Sequence, residues 1–71
     1  MGMKIHEFSE RTGLPPSTLR FYDLKKLLEP KQRLENGYRI YTEEQVSHAL
    51  MINSLRLADI NIEDIYHFMH S

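Results

Sequence analysis

Between Thr12 and Ser17 the chain reads Gly13-Leu14-Pro15-Pro16, and that run leaves the backbone few courses. Glycine takes the left-handed conformation that closes a helix at little steric cost. Proline suits the first position of a helix, because an N–H there would have no intrahelical partner. One helix must therefore end near Thr12 and another begin at Pro16. The first is predicted from about His6, with Ile5, Phe8 and Thr12 sharing a face. The second is predicted to run to about Lys26, with Leu19, Asp23 and Lys26 along one side. Two helices with a break of about three residues that contains glycine have the form of a helix-turn-helix.

Pro30 to Tyr41 reads as a β-hairpin. Asn36-Gly37 is a strong hairpin signal, since both residues tolerate the positive φ of a type I′ turn. The return segment Tyr38-Arg39-Ile40-Tyr41 is aromatic and β-branched, as strands prefer. Thr42 and Gln45 then form a capping-box pattern, with Tyr41 placed to staple onto Val46. Val46, Ala49, Leu50, Asn53 and Leu57 recur at helical spacing, and Met51, Ile52 and Leu55 broaden that surface. Asp59 ends this helix. Asn61 caps a fourth, whose stripe is Ile62, Ile65, Phe68 and Met69, with Ile60 and Ile65 set for a second staple. The expected order is helix, helix, hairpin, helix, helix. That is a mostly α chain of one domain, a winged helix-turn-helix with the helix-turn-helix near 5–28, the wing near 30–41 and two helices over 42–70.

At 71 residues, only one small core is available. No apolar run reaches the roughly 20 residues of a membrane helix, so no membrane partner is expected. The start lacks an apolar signal core, which with the absence of cysteine fits a cytoplasmic protein. Gly2-Met3 could be a remnant of cloning. Without cysteine there is no disulfide, thiolate metal site or cysteine nucleophile. His6, His48, His67 and His70 are scattered, and no nucleophile–base pair or phosphate loop stands out. His67 and His70 lie three apart, but such a pair near a terminus is more often solvated than metal-bound. Neither enzyme activity nor any cofactor or metal is expected.

The net charge of −1 is unpromising for a nucleic-acid binder, but its distribution is uneven. Residues 1–41 hold eight Lys and Arg against five Asp and Glu, whereas residues 42–71 hold one against five. A basic half can meet phosphate while the acidic half keeps the sum near zero. On a helical projection, Ser17, Thr18, Phe21, Tyr22 and Lys25 fall on one side of the second helix and Arg20 on its flank. Hydroxyls and a guanidinium near a helix start can reach base edges and phosphates. The plainer reading makes Phe21 and Tyr22 core residues and the Ser-Thr pair a helix start. The hairpin carries Lys31, Arg33, Tyr38 and Arg39, placed for a phosphate backbone. Its plainer reading is an edge hairpin blunted by charge.

Taken together, Ile5, Phe8, Thr12-Gly13, Thr18-Leu19-Arg20-Phe21-Tyr22-Asp23, Leu27-Leu28, Pro30, Arg33, Asn36-Gly37-Tyr38-Arg39-Ile40-Tyr41, Leu55 and Ile65 resemble the N-terminal domain of MerR-family bacterial transcription regulators. The resemblance covers nearly the whole chain. It implies binding to inverted-repeat promoter DNA as a homodimer of the full-length protein, with distortion of the duplex for RNA polymerase. It implies DNA contacts from Ser17, Thr18, Arg20 and Tyr22 on the recognition helix and from Arg33, Tyr38 and Arg39 on the wing. Lys31 is a secondary candidate, and Arg56 is placed for outer phosphates. Three positions depart from the family pattern: Pro15 stands at the usual Ser/Thr cap, Phe21 where Tyr is frequent, and Asp59 at a usual Gly. The family's dimerisation helix and effector region have no counterpart here, which suggests a DNA-binding fragment. The other class considered is a stand-alone winged-helix module of excisionase or anti-repressor type, acting architecturally or by protein contacts.

Overall fold

The computed structural model describes residues 2–71. Seven elements follow in order: β1 (Met3–Lys4), α1 (Ile5–Thr12), α2 (Pro16–Leu24), β2 (Gln32–Arg33), β3 (Arg39–Tyr41), α3 (Glu43–Leu57) and α4 (Ile62–Met69). The expected helices and hairpin are present. A strand at the start is additional, and it makes β3 the centre of a three-stranded antiparallel sheet. Met3 pairs with Tyr41 and Lys4 with Ile40, while Gln32 pairs with Ile40 and Arg33 with Arg39. Met3 is buried and belongs to the core. Gly2 runs so close to the sheet that a Cβ there would collide with Ile40 Cγ2.

The first three helices end by one device, a left-handed residue after the last turn. Gly13 closes α1 at φ 76°, its N–H donating to the Ser9 carbonyl at 2.8 Å. After α2, Lys26 takes φ 61°, and the N–H groups of Lys26 and Leu27 reach back to the carbonyls of Asp23 and Tyr22. After α3, Asp59 takes φ 68°, and the N–H groups of Asp59 and Ile60 reach the carbonyls of Arg56 and Leu55. Both are Schellman turns, which satisfy carbonyls that a helix end leaves unpaired. α2 therefore stops two residues before the expected Lys26, where the left-handed residue breaks it. The His70 ring Nε2 lies 2.6 Å from the Lys26 carbonyl, so the end of α4 touches the turn that closes α2.

The start signals act as their side chains dictate. Gln45 Oε1 accepts the Thr42 N–H at 3.0 Å, and Asn61 Oδ1 accepts the Asp64 N–H at 2.8 Å. Gln45 Nε2 also donates to the Glu29 carbonyl, tying α3 to the loop that enters the wing. The wing turn differs from the expected type I′. Gly37 donates to the Leu34 carbonyl, Leu34 donates to the Tyr38 carbonyl, and only Gly37 has positive φ, 87°. This is a three-residue connection with glycine in the left-handed position. Asn36 serves by its side chain instead, accepting the Tyr38 N–H.

The core is built on Phe8, Leu19, Tyr41, Ile52 and Ile65, with Met3, Leu14, Tyr22, Leu27, Leu28 and Ala49 around them. Phe8 and Tyr41 stack at 4.2 Å and 6°. Val46, Leu55, Ile60 and Ile62 pack against this cluster. α3 is rotated from the expected setting: Ala49 and Ile52 point inward, while Leu50 and Leu57 of the predicted stripe are exposed. With apolar residues all round this helix, periodicity alone could not choose the face.

Two substitutions test this account. Among the described residues nothing lies within 4 Å of where a Cβ at Gly13 would stand, so Gly13→Ala changes only backbone energy. Left-handed strain of roughly 1–2 kcal/mol is partly offset by a stiffer unfolded chain, roughly 0.4–1 kcal/mol. A net loss of about 1 kcal/mol should lower the melting midpoint by about 4–8 °C. The Tyr41 hydroxyl is buried without a hydrogen-bond partner among the described residues. Tyr41→Phe removes an unpaired polar group, so a calorimetric melt should move upward or stay level rather than fall.

Candidate nucleic-acid interface

Pro15 precedes α2 without a capping side chain, yet its carbonyl accepts the N–H of Thr18 at 3.0 Å and of Leu19 at 3.2 Å. The helix thus starts with Ser17 and Thr18 in its first turn. Leu19, Tyr22 and Asp23 face inward, leaving Ser17, Arg20, Phe21 and Leu24 as the exposed stripe with Thr18 and Lys25 beside it. This corrects two expectations. Arg20 stands on the outer face rather than the flank. Tyr22 is only 3% exposed, its ring packed in the core with Leu19, so the surface contact expected of it is not available to the ring. Burial raises the Tyr22 phenol pKa above its ordinary value, opposed by the Arg56 charge. Leu24 is 75% exposed at the far end of the stripe.

The wing divides its side chains by strand alternation. Tyr38 and Ile40 lie on one side, and Lys4 of the neighbouring strand places its ammonium 4.7 Å from the Tyr38 ring centroid. A cleft of about 310 Å³ between this edge and the start of α1 is lined by Lys4, Ile5, His6, Tyr38 and Arg39. Tyr38 is exposed, as is Lys31 in the bend before β2. Arg33 and Arg39 lie opposite one another on β2 and β3 and turn toward α2. There Arg33 Nη2 donates to both Asp23 carboxylate oxygens at 2.8 Å, and Arg39 Nε donates to Oδ2 at 2.8 Å. The expected wing cations are therefore not a uniform fringe. Tyr38 projects outward, Lys31 stands alone, and two arginines converge on one acid of α2. Arg56 is occupied at the α3–α4 junction, where its Nη1 donates to the Ile60 carbonyl at 3.0 Å.

Asp23 is the residue that pattern reading passed over. The sequence sets it along one side of α2 with the apolar Leu19, and an acid on a side that is buried requires a cation or several donors. That requirement was the available signal; the identity of its partners depends on how the hairpin folds back. Asp23 is 7% exposed. Burial opposes its ionisation, but the hydrogen bonds from Arg39 and Arg33 and their charges outweigh that and hold the carboxyl below its ordinary value. Arg33 is in turn held more firmly protonated by Asp23. Among the described residues Arg20, Lys25 and Lys31 make no ion pair. The exposed pair between Arg11 and Glu43 joins α1 to α3, away from the wing, and surface pairs of this kind contribute about 0–1 kcal/mol. No group of three or more His, Asp or Glu side chains suited to a metal ion occurs among the described residues, and no helix there is long and apolar enough to cross a membrane.

A sequence signature described as MerR HTH family regulatory protein matches residues 3–71. The chain is 36% identical over 62 residues to the HTH-type transcriptional regulator CueR of Salmonella typhi, covering 87% of this chain and 45% of that protein. It is 35% identical over 65 residues to the uncharacterized HTH-type transcriptional regulator YyaN of Bacillus subtilis, covering 92% of this chain and 47% of that protein. The chain thus spans about half the length of the curated relatives it matches. Among solved structures, HiNmlR, a MerR family regulator lacking the sensor domain and bound to promoter DNA, superposes with a TM-score of 0.88 at 28% identity, covering 99% of this chain and 53% of that one. The lead-bound transcription regulator PbrR691 of Ralstonia metallidurans superposes with a TM-score of 0.84 at 29% identity, covering 96% of this chain and 53% of that one.

The Asp23 cluster predicts an acid response of definite sign. A carboxyl whose pKa is lowered by folding adds stability that is present above its unfolded value, near 3.8, and is lost as pH falls through the folded value. Asp23→Asn lacks this contribution at every pH. Urea midpoints of parent and variant should therefore be well separated at neutral pH and converge below about pH 4; parallel curves would contradict the pairing.

Proposed function

The chain belongs to the MerR HTH family of regulatory proteins, and on that premise we propose that it is the promoter-binding end of a transcription regulator. Ser17 and Thr18, on the first turn of α2, enter the major groove, and Arg20 on the same exposed face reaches a flanking phosphate. Arg33, Tyr38 and Arg39 engage the adjacent sugar-phosphate backbone, with Lys31 as an outlying phosphate contact. The observation that carries this reading is the juxtaposition of the polar exposed start of α2 with a cation-bearing wing on the same side of one small core. The likeness over 99% of the chain to a regulator bound to promoter DNA supports it.

The remaining roles follow from the same premise. In the longer regulator, homodimerisation places two such domains on the halves of an inverted repeat, and the deformed promoter is engaged by RNA polymerase. The domain acts in the cytoplasm, without catalysis and without a cofactor of its own. The matched relatives are transcriptional regulators, which favours this reading over a stand-alone excisionase-type module.

Amide resonances of the chain, followed during titration with duplex DNA at low ionic strength, should move for residues 17–21 and 31–40 and little elsewhere. Quiet signals in both segments would remove the assignment. Arg20→Ala should weaken binding to all duplexes alike and flatten the log–log salt slope by about one unit. Thr18→Ala should instead narrow the gap between preferred and unrelated duplexes while leaving that slope unchanged.

A further inference from the structure

The two elements that meet DNA in this reading are joined by little. Among the described residues no backbone hydrogen bond links α2 to β2 or β3. β2 is two residues long and β3 three, and such a ribbon holds its position only by leaning on something else. Its far side is paired to β1, and its inner side rests on the core through Tyr41. Toward α2, the polar connection runs through three hydrogen bonds to one carboxylate.

We propose that Asp23 is a positioning residue for DNA recognition: by gripping Arg33 and Arg39 together, it sets the offset between the base-reading face of α2 and the phosphate-binding wing. The proposal rests on the DNA-binding reading above. Its geometry leaves both arginines usable. Arg33 employs only Nη2 on Asp23 and keeps Nε and Nη1; Arg39 employs only Nε and keeps Nη1 and Nη2. Their side chains remain 50% and 29% exposed, whereas that of Asp23 is 7% exposed. A carboxylate that fixes one edge of a guanidinium orients the other edge, much as outer partners orient metal ligands. The acid also cancels one of the two positive charges, so it reduces non-specific attraction where alignment is set. Asp23 thus exchanges strength of binding for accuracy.

This separates it from an acid that merely stabilises the fold, because affinity and discrimination move in opposite directions. The chain is incubated with a randomised duplex library, the captured sequences are enriched, and the preferred duplex is compared with a shuffled one across a salt series. For Asp23→Asn, capture of shuffled DNA should rise and its log–log salt slope should steepen by about one unit, since one negative charge is gone. The ratio of affinities for preferred over shuffled duplex should fall about tenfold, the scale of one well-placed base contact. In the Arg33→Gln/Arg39→Gln background, adding Asp23→Asn should change that ratio no further. Asp23→Glu keeps the charge but lengthens the arm, so it should leave the slope alone and lower the ratio. It carries the test by itself if circular dichroism shows that Asp23→Asn does not fold. A ratio unchanged in the folded Asp23→Asn variant, or in Asp23→Glu where only that one folds, overturns the proposal and leaves the DNA-binding reading intact. A parent chain that captures no DNA at low ionic strength overturns both.

Discussion

The stacked pair of Phe8 and Tyr41 is the contact on which the arrangement depends. Phe8 belongs to α1 and Tyr41 to the central strand, so their overlap joins the helical half of the molecule to the sheet. A chain of 71 residues buries a small fraction of its surface compared with larger domains. It cannot spread its stability over many layers, and a two-ring contact at its centre weighs accordingly. Around that pair the other elements find their places. Leu19 and Tyr22 bring α2 against the core, Ile52 brings α3 and Ile65 brings α4. What faces outward on α2 is thus decided by what the core takes from it.

Much of this order was legible before any coordinates, because it rests on local chemistry. Gly13 with Pro16, Thr42 with Gln45, and Asn61 before Asp64 announce helix boundaries through hydrogen bonds that span four residues or fewer, and these boundaries appear where expected. Features that depend on distant partners were less legible. The strand Met3–Lys4 is too short to show alternation and exists only because β3 offers it an edge. The inward face of α3 was ambiguous because Leu50, Met51 and Leu57 are as apolar as the residues that won. Tyr22 falls with the surface group in helical projection, whereas the folded core takes its ring together with Leu19.

The candidate interface shows the same division. Its cations were visible as a cluster in the sequence, and the comparison with MerR regulators places the chain in a family of DNA-binding proteins. The internal order of that cluster was not visible. Arg33 and Arg39 are separated by six positions, and Asp23 precedes Arg33 by ten; only the hairpin brings the three together. The net charge of −1 is also less paradoxical in this light, since one acid of the basic half is enclosed among arginines rather than displayed to solvent.

The contact between the His70 ring and the Lys26 carbonyl brings two helix ends together. Lys26 sits in the turn that terminates α2, held there by hydrogen bonds to the last turn of that helix. The C-terminal end of α4 and the turn that closes α2 therefore lie side by side at the surface. The shared contact is three residues from Asp23, so the last turn of α4 borders the same end of α2 that carries the arginine-gripping acid.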